Sequence, residues 1–162
     1  MTRIASAAQT EEFVRAASGP FEIVAGSTRR RLGRPVTDSL GGALPVLDVS
    51  GLAGILKYEP QELIVTAAPG TPLDEIKALL AERHQCLGFD PADWSGLWAA
   101  AGRATLGGAL SADACGPGRL RHGGPRDSLL GFQAVNGLGE IFRAGGKVVK
   151  NVTGFDLPKL VC

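Results

Sequence analysis

Glycine constrains this chain more than any other residue. It fills 23 of 162 positions, about twice the usual share. Six of those glycines fall between Thr105 and Asp127, in TLGGALSADACGPGRLRHGGPRD. Each glycine loses more backbone entropy on folding than any other residue. No collagen period and no repeat of solenoid length accounts for them. The excess reads as loops, and loops carry sites. A run this rich in glycine implies that something approaches the backbone closely.

The remaining composition is globular, with 44% apolar and 20% charged residues. A net charge of +1 gives no general electrostatic case for nucleic acid or a membrane surface. No run of 18 apolar residues is present to span a bilayer. The opening MTRIASAAQTEEFVRAA lacks the apolar core of a signal peptide and reads as mature protein. Cys86, Cys115 and Cys162 are odd in number and far apart. That argues against a disulfide framework or a CxxC metal site and fits a reducing cytoplasm. The last residues, FDLPKLVC, form an apolar run without polar tail or helix cap, from which we expect a piece of a longer reading frame.

The patterning predicts a helix over 6–17, with Phe13 and Val14 toward the core and glutamates early. Strands are expected at 21–26 and 45–50, and at 54–58 and 63–68 around a turn at Glu59–Glu62. TPLDEIKALLAERH, 71–84, predicts a helix capped by Thr71, with Asp74 completing a capping box. Its apolar face is Leu73, Ile76, Leu79 and Leu80. Residues 128–146 predict a hairpin turning at Asn136-Gly137. The order is α-β-β-β-β-α, a loop, then a hairpin. It implies an α+β fold with strands in two groups, hence two small lobes with one interface: about 1–88, and an incomplete 89–162.

Common nucleotide signatures are missing. GPGRLR fails the GxGxxG dinucleotide pattern, and GGKVVK lacks the spacing and hydroxyl of a P-loop. There is no GxSxG and no HExxH. With only His84 and His122, a metal site of several histidines is not expected. Two loops remain. In VAGSTRRRLGR, Ala25, Gly26, Ser27 and Thr28 can turn several N–H groups toward one anion, with Arg29 and Arg30 adding charge. In ATLGGALSADACG, Thr105 can cap a short helix whose first turn, Leu106-Gly107-Gly108, offers bare N–H groups. Two such loops suit a long ligand with a charged middle, such as a dinucleotide. Plainer readings stand beside this one. Arg29–Arg31 could be a solvated face, Cys115 a small buried hydrophobe, and His122 a solvent-facing loop residue. Trp94 and Trp98 could stack on a ring or pack a short helix.

Four segments carry a family resemblance: AGSTRRRLGRP, YEPQELIVTAAPGTPLDEI, ATLGGALSADACGPGRLRHGGPRDSLLG and GGKVVKNVTGFDLPKL. They resemble the FAD-binding domain of the p-cresol methylhydroxylase/vanillyl-alcohol oxidase (PCMH) class, within it the FAD-binding subunits of bacterial glycolate oxidases. Ser27 stands where a glycine is common, Arg29 where a lysine is common and Asp113 where an asparagine is common. The resemblance implies a PCMH-type fold of two α/β subdomains with FAD held between them, non-covalently. It implies that residues 25–30 and the Thr105–Gly108 turn take the pyrophosphate. Pro69, Gly70 and Thr71, with Asp113, Gly116 and Gly118, would line the flavin. Arg126, Asp127, Asn151 and Gly154 would close the site.

The same resemblance implies oxidation of a small 2-hydroxy acid, glycolate to glyoxylate. The implied partners are a second flavin subunit and an iron–sulfur subunit. The implied location is the cytoplasm, or the inner membrane reached peripherally through those partners. No catalytic acid or base is identified, because the implied substrate cap lies beyond this chain. A non-catalytic FAD-binding or scaffolding subunit and a nucleotide-binding regulatory module are the alternatives.

Overall fold

Three short strands lie side by side near the start of the chain. The computed structural model describes residues 1–162 apart from 33, 35–36, 38–40, 99 and 147–154. Strand β1 (Thr2–Arg3) leads to helix α1 (Ala7–Ala16), then to strands β2 (Glu22–Val24) and β3 (Val46–Asp48). All three pair in parallel in the order β1-β3-β2. The central β3 is the most deeply buried, with Leu47 at 1% exposure. Burying such a side chain contributes about 1.5–3 kcal/mol.

Helix α1 starts as its sequence directs: Ser6 accepts from the Gln9 N–H at 3.2 Å. The expectation of glutamates in the first turn fails. Glu11 and Glu12 lie mid-helix, where Glu11 pairs with Arg15 at 3.0 Å. Phe13 meets Phe21 edge-on at 5.1 Å, fixing the return into β2.

A hairpin follows, β4 (Ile55–Glu59) and β5 (Ile64–Ala67), turning through residues 60–63. Helix α2 (Leu73–Ala81) buries Leu73, Ile76 and Leu80, three of the four face residues expected. Thr71 does not cap it. Pro72 holds the cap position without a side-chain bond. The Thr71 hydroxyl instead accepts from the Gly54 N–H at 2.9 Å and lies 2.7 Å from the Ala68 carbonyl oxygen. The helix also stops at Ala81, short of His84, which takes a φ of +54°.

The second half is broken more finely than its sequence suggests. Helices α3 (Ser95–Trp98), α4 (Leu106–Ser111), α5 (Arg119–His122) and α6 (Pro125–Ser128) are each six residues or fewer. They precede the hairpin β6 (Gly131–Val135) and β7 (Ile141–Gly145), and α7 (Leu157–Val161). The β6–β7 turn is not built on Asn136-Gly137 as a two-residue turn. Asn136 N donates to Glu140 O at 2.9 Å, and the left-handed residue is Gly139, at φ +74°. That is a three-residue connection with a glycine bulge. Among the described residues, strands fall into three separate sheets, not two groups. The α+β class holds. All three cysteines are free, and among the described residues no helix is long and apolar enough to cross a membrane.

Candidate functional site

Strand β2 delivers the chain to the carboxyl edge of the parallel sheet, where open α/β sheets collect their ligands. Residues 25–30 turn there. Ser27 sits at φ +56°, a left-handed conformation that costs a non-glycine residue about 1–2 kcal/mol. Among the described residues, the N–H groups of Gly26, Ser27, Thr28 and Arg29 have no protein acceptor. Successive free N–H groups around a left-handed residue make an anion nest. Residues 25–30 line a cavity of about 180 Å³ together with Thr105 and Gly108.

The two arginines of this loop have different commitments. Arg30 Nε donates to Glu22 Oε1 at 2.7 Å, and a second nitrogen donates to Oε2. Those bonds raise its pKa and hold it outward. Arg29 has no carboxylate in ion-pair range among the described residues. It donates to the Ala92 carbonyl, lies 5.7 Å from the Trp94 ring centroid, and keeps a buried Nε with no acceptor. Burial pulls its pKa down, and the charge of Asp93 opposes that.

A close backbone approach joins this loop to the second glycine segment. A Cβ on Gly26 would lie 1.7 Å from the Arg103 carbonyl oxygen, and one on Gly102 would lie 1.8 Å from that of Gly26. Arg103 then reaches the first turn of α2, donating to Asp74 at 2.7 Å and to Glu75 at 2.8 Å. This clamp sets where Thr105 begins α4. Thr105 Oγ1 accepts from Gly108 N at 3.4 Å, as expected of a cap.

The expectation of bare N–H groups on α4 does not hold. Leu106 N donates to Thr71 O at 2.9 Å and Gly107 N to Pro69 O at 2.8 Å. Helix α4 contributes clearance instead. A Cβ on Gly107 would meet Pro69 at 2.8 Å, whereas one on Gly108 would meet only Thr105 Oγ1 at 3.2 Å and Arg29 at 3.7 Å. Pro69 and Gly70 stand behind α4, and Gly70 N donates to Leu52 O at 2.7 Å. Thr71 is fully buried at 0% exposure.

The remaining expected residues form a second cluster. Asp113, at φ +40°, accepts from Arg119 at 3.1 Å and from the Arg126 N–H at 3.2 Å. Gly116 N donates to Asp90 O at 2.7 Å, and Gly118 N to Asp90 Oδ2 at 3.4 Å. Asp127 accepts from Gly124 N at 2.8 Å, which holds its carboxyl below the ordinary range. The Arg126 side chain is exposed, and its carbonyl accepts from Lys159. Asn151 and Gly154 lie outside the described residues.

Glu22, Asp90, Ala92, Arg103 and Arg119 were not anticipated. Each is a distant or backbone-directed partner, and no local motif announces it. Among the described residues, no three His, Cys, Asp or Glu side chains gather as a metal site.

Residues 3–145 match the FAD binding domain family. Glycolate oxidase subunit GlcE of Escherichia coli (strain K12) is 38% identical over 142 residues, covering 88% of this chain and 37% of that protein. Glycolate oxidase subunit GlcD of Bacillus subtilis (strain 168) is 32% identical over 130 residues, covering 76% of this chain and 26% of that protein. The chain therefore spans about a third of the length of the curated relatives it matches, or less. A solved alkyldihydroxyacetonephosphate synthase shares the fold over 99% of this chain and 28% of its own, at TM-score 0.74 and 18% identity. The chain belongs to the FAD binding domain family, and FAD is its cofactor. Its residues fit that group: among the described residues, the N–H groups of residues 26–29 have no protein acceptor, and Arg29 beside them lines the cavity.

Proposed function

We propose that this member of the FAD binding domain family seats the flavin of a 2-hydroxy-acid oxidising complex, with glycolate as substrate and glyoxylate as product. The observation that carries the reading is the 38% identity to the Escherichia coli glycolate oxidase subunit across 88% of the chain. A D-2-hydroxyglutarate dehydrogenase of Xanthomonas citri pv. viticola, 30% identical over 72% of the chain, supports the broader 2-hydroxy-acid class. The proposed partners are a second flavin subunit and an iron–sulfur subunit, in the cytoplasm or peripheral to the inner membrane.

When bound, FAD supplies the two-electron acceptor. The chain's own work is to hold and orient it. The N–H groups of Gly26 to Arg29 take the pyrophosphate, and Arg29 balances its charge. Gly108 leaves room for the ligand against the backbone, while Thr105 fixes the α4 start that creates the room. Pro69, Gly70 and Thr71 brace that start from behind. Asp113, Gly116, Gly118, Arg126 and Asp127 shape the flavin side, with the Asp113–Arg119 pair setting its edge.

The test is anaerobic addition of glycolate, D-lactate and D-2-hydroxyglutarate to the FAD-loaded chain, co-purified with its partner subunits. Bleaching of the visible flavin band by glycolate is the expected result. Bleaching by another of these acids alone replaces the substrate, and bleaching by none of them ends the oxidase reading.

A further inference from the structure

Two side-chain donors are buried without an acceptor among the described residues, Arg29 Nε and Trp98 Nε1. Arg29 leaves the first loop to donate to Ala92 O and to lie over the Trp94 ring. Trp98 follows one turn later, its N–H bonded to Trp94 O at 3.2 Å. Unpaired buried donors are rare and costly in native structures and require an explanation. Arg29 also borders the cavity of residues 25–30, where it faces Gly108. One guanidinium thus touches both the anion nest and a tryptophan.

The physical contest is between two acceptors. A carbonyl and a ring face offer Arg29 a hydrogen bond to an uncharged acceptor and a cation–π contact. A diphosphate offers bidentate bonds between two ionised partners, stronger than a single bond to an uncharged carbonyl. We propose that Arg29 is a two-position brace. In the position seen here it ties the first loop to residues 92–98. When a diphosphate group settles on the nest, the guanidinium turns to it, and Trp94 loses its cation. The segment carrying Trp94 and Trp98 is thereby coupled to the diphosphate and reports its arrival. This inference rests on the reading of residues 25–30 as the diphosphate seat, and the two can fail separately.

The experiment titrates the full chain with ADP and with inorganic pyrophosphate, reading tryptophan emission and, in parallel, heat of binding. Because the chain has two tryptophans, Trp98→Phe isolates Trp94. Should that variant not fold by circular dichroism, the difference between wild type and Trp94→Phe serves instead. Saturable change of Trp94 emission is expected, with the same affinity as the calorimetric one. Arg29→Ala is expected to lose the emission change and about 10- to 100-fold in ADP affinity. Arg29→Lys keeps the charge but not the fork. It is expected to regain affinity to within about tenfold of wild type without the full emission change. An Arg29→Ala chain that binds ADP as wild type does, or a Trp94 that stays silent while heat shows binding, overturns the brace and leaves the seat standing. Absence of calorimetric ADP binding to the wild type overturns both.

Discussion

Gly107 and Gly108 are chain neighbours with opposite surroundings. A side chain on Gly107 collides with Pro69, while one on Gly108 projects toward Thr105, Arg29 and the cavity. Gly108→Val should therefore cost FAD affinity and little stability. Valine is no poorer a helix former than the glycine it replaces, so the melting temperature should move by no more than about 2–4 °C for a chain of this size. We expect FAD retention to be lost with the circular dichroism spectrum kept; unchanged FAD affinity would remove the cofactor from this cavity. Ser27 allows the opposite change. Its left-handed φ is strained for serine and free for glycine, the residue common at this position in the family it resembles. Weighing about 1–2 kcal/mol of relieved strain against the entropy of a new glycine, Ser27→Gly should stabilise by up to about 1 kcal/mol. A lower melting temperature in thermal denaturation would contradict this.

At the scale of elements, Thr71 shows how a correct cue can point to the wrong role. Thr71-Pro72-Leu73-Asp74 satisfies a helix-start pattern, and α2 does start there. Yet the buried hydroxyl turns inward, to the half-buried Gly54 and Ala68, where the Gly54 N–H has no backbone acceptor. Ala68 N and Thr71 N also donate to the Gly54 and Ala68 carbonyls, so Thr71→Val would strand the Gly54 N–H. The expected loss is about 1–3 kcal/mol, the cost of one donor left unpaired. Urea denaturation measures it, and a loss under about 0.5 kcal/mol would mean that water replaces the hydroxyl.

The same scale explains what could be read in advance. Helix α2, the β4–β5 hairpin and the Thr105 cap depend on spacings of three or four residues, or on alternation, and those survive in the sequence. Parallel pairing of β1 with β3 does not, since two-residue strands carry no period. Helices α5 and α6 are shorter than one apolar repeat. Arg103 and Asp90 act 28 or 29 residues away in sequence, where no motif reaches.

The Arg103 clamp has a pH signature. Its hydrogen bonds hold the Asp74 carboxyl below the ordinary value, and the Gly124 N–H does the same for Asp127. A depressed folded pKa means that the unfolded chain binds more protons between the two values. Stability then rises with pH through that window, is complete above the unfolded carboxylate pKa near 4, and is lost as pH falls through the folded values. Both carboxylates are exposed, so salt weakens the effect. In urea denaturation at a series of pH values, Arg103→Gln should flatten the acid limb. An unchanged acid limb would show that other carboxylates govern it.

Among the described residues, the strands of the molecule form three small sheets that share no hydrogen-bond ladder. Helix α1 packs on β6, and the loops meet in three further contacts: the Gly26–Gly102 approach, α4 resting on residues 69–71, and Arg29 reaching Ala92 and Trp94. Two of these three contacts meet at the anion nest. A ligand that fills the nest therefore acts on the coupling between parts more than on any one of them. Both tryptophans lie in the segment that Arg29 holds, so their emission reports that coupling, while far-UV ellipticity reports the elements. Without FAD, tryptophan emission should change at a lower denaturant concentration than ellipticity does. With FAD at about 100 times its dissociation constant, linkage adds about 2.7 kcal/mol. That corresponds to a melting rise of about 5–10 °C, and the two probes should then coincide, as all-or-none unfolding requires. Coincident transitions in the FAD-free chain would mean that the sheets already unfold as one unit, and that the cofactor adds stability without joining anything.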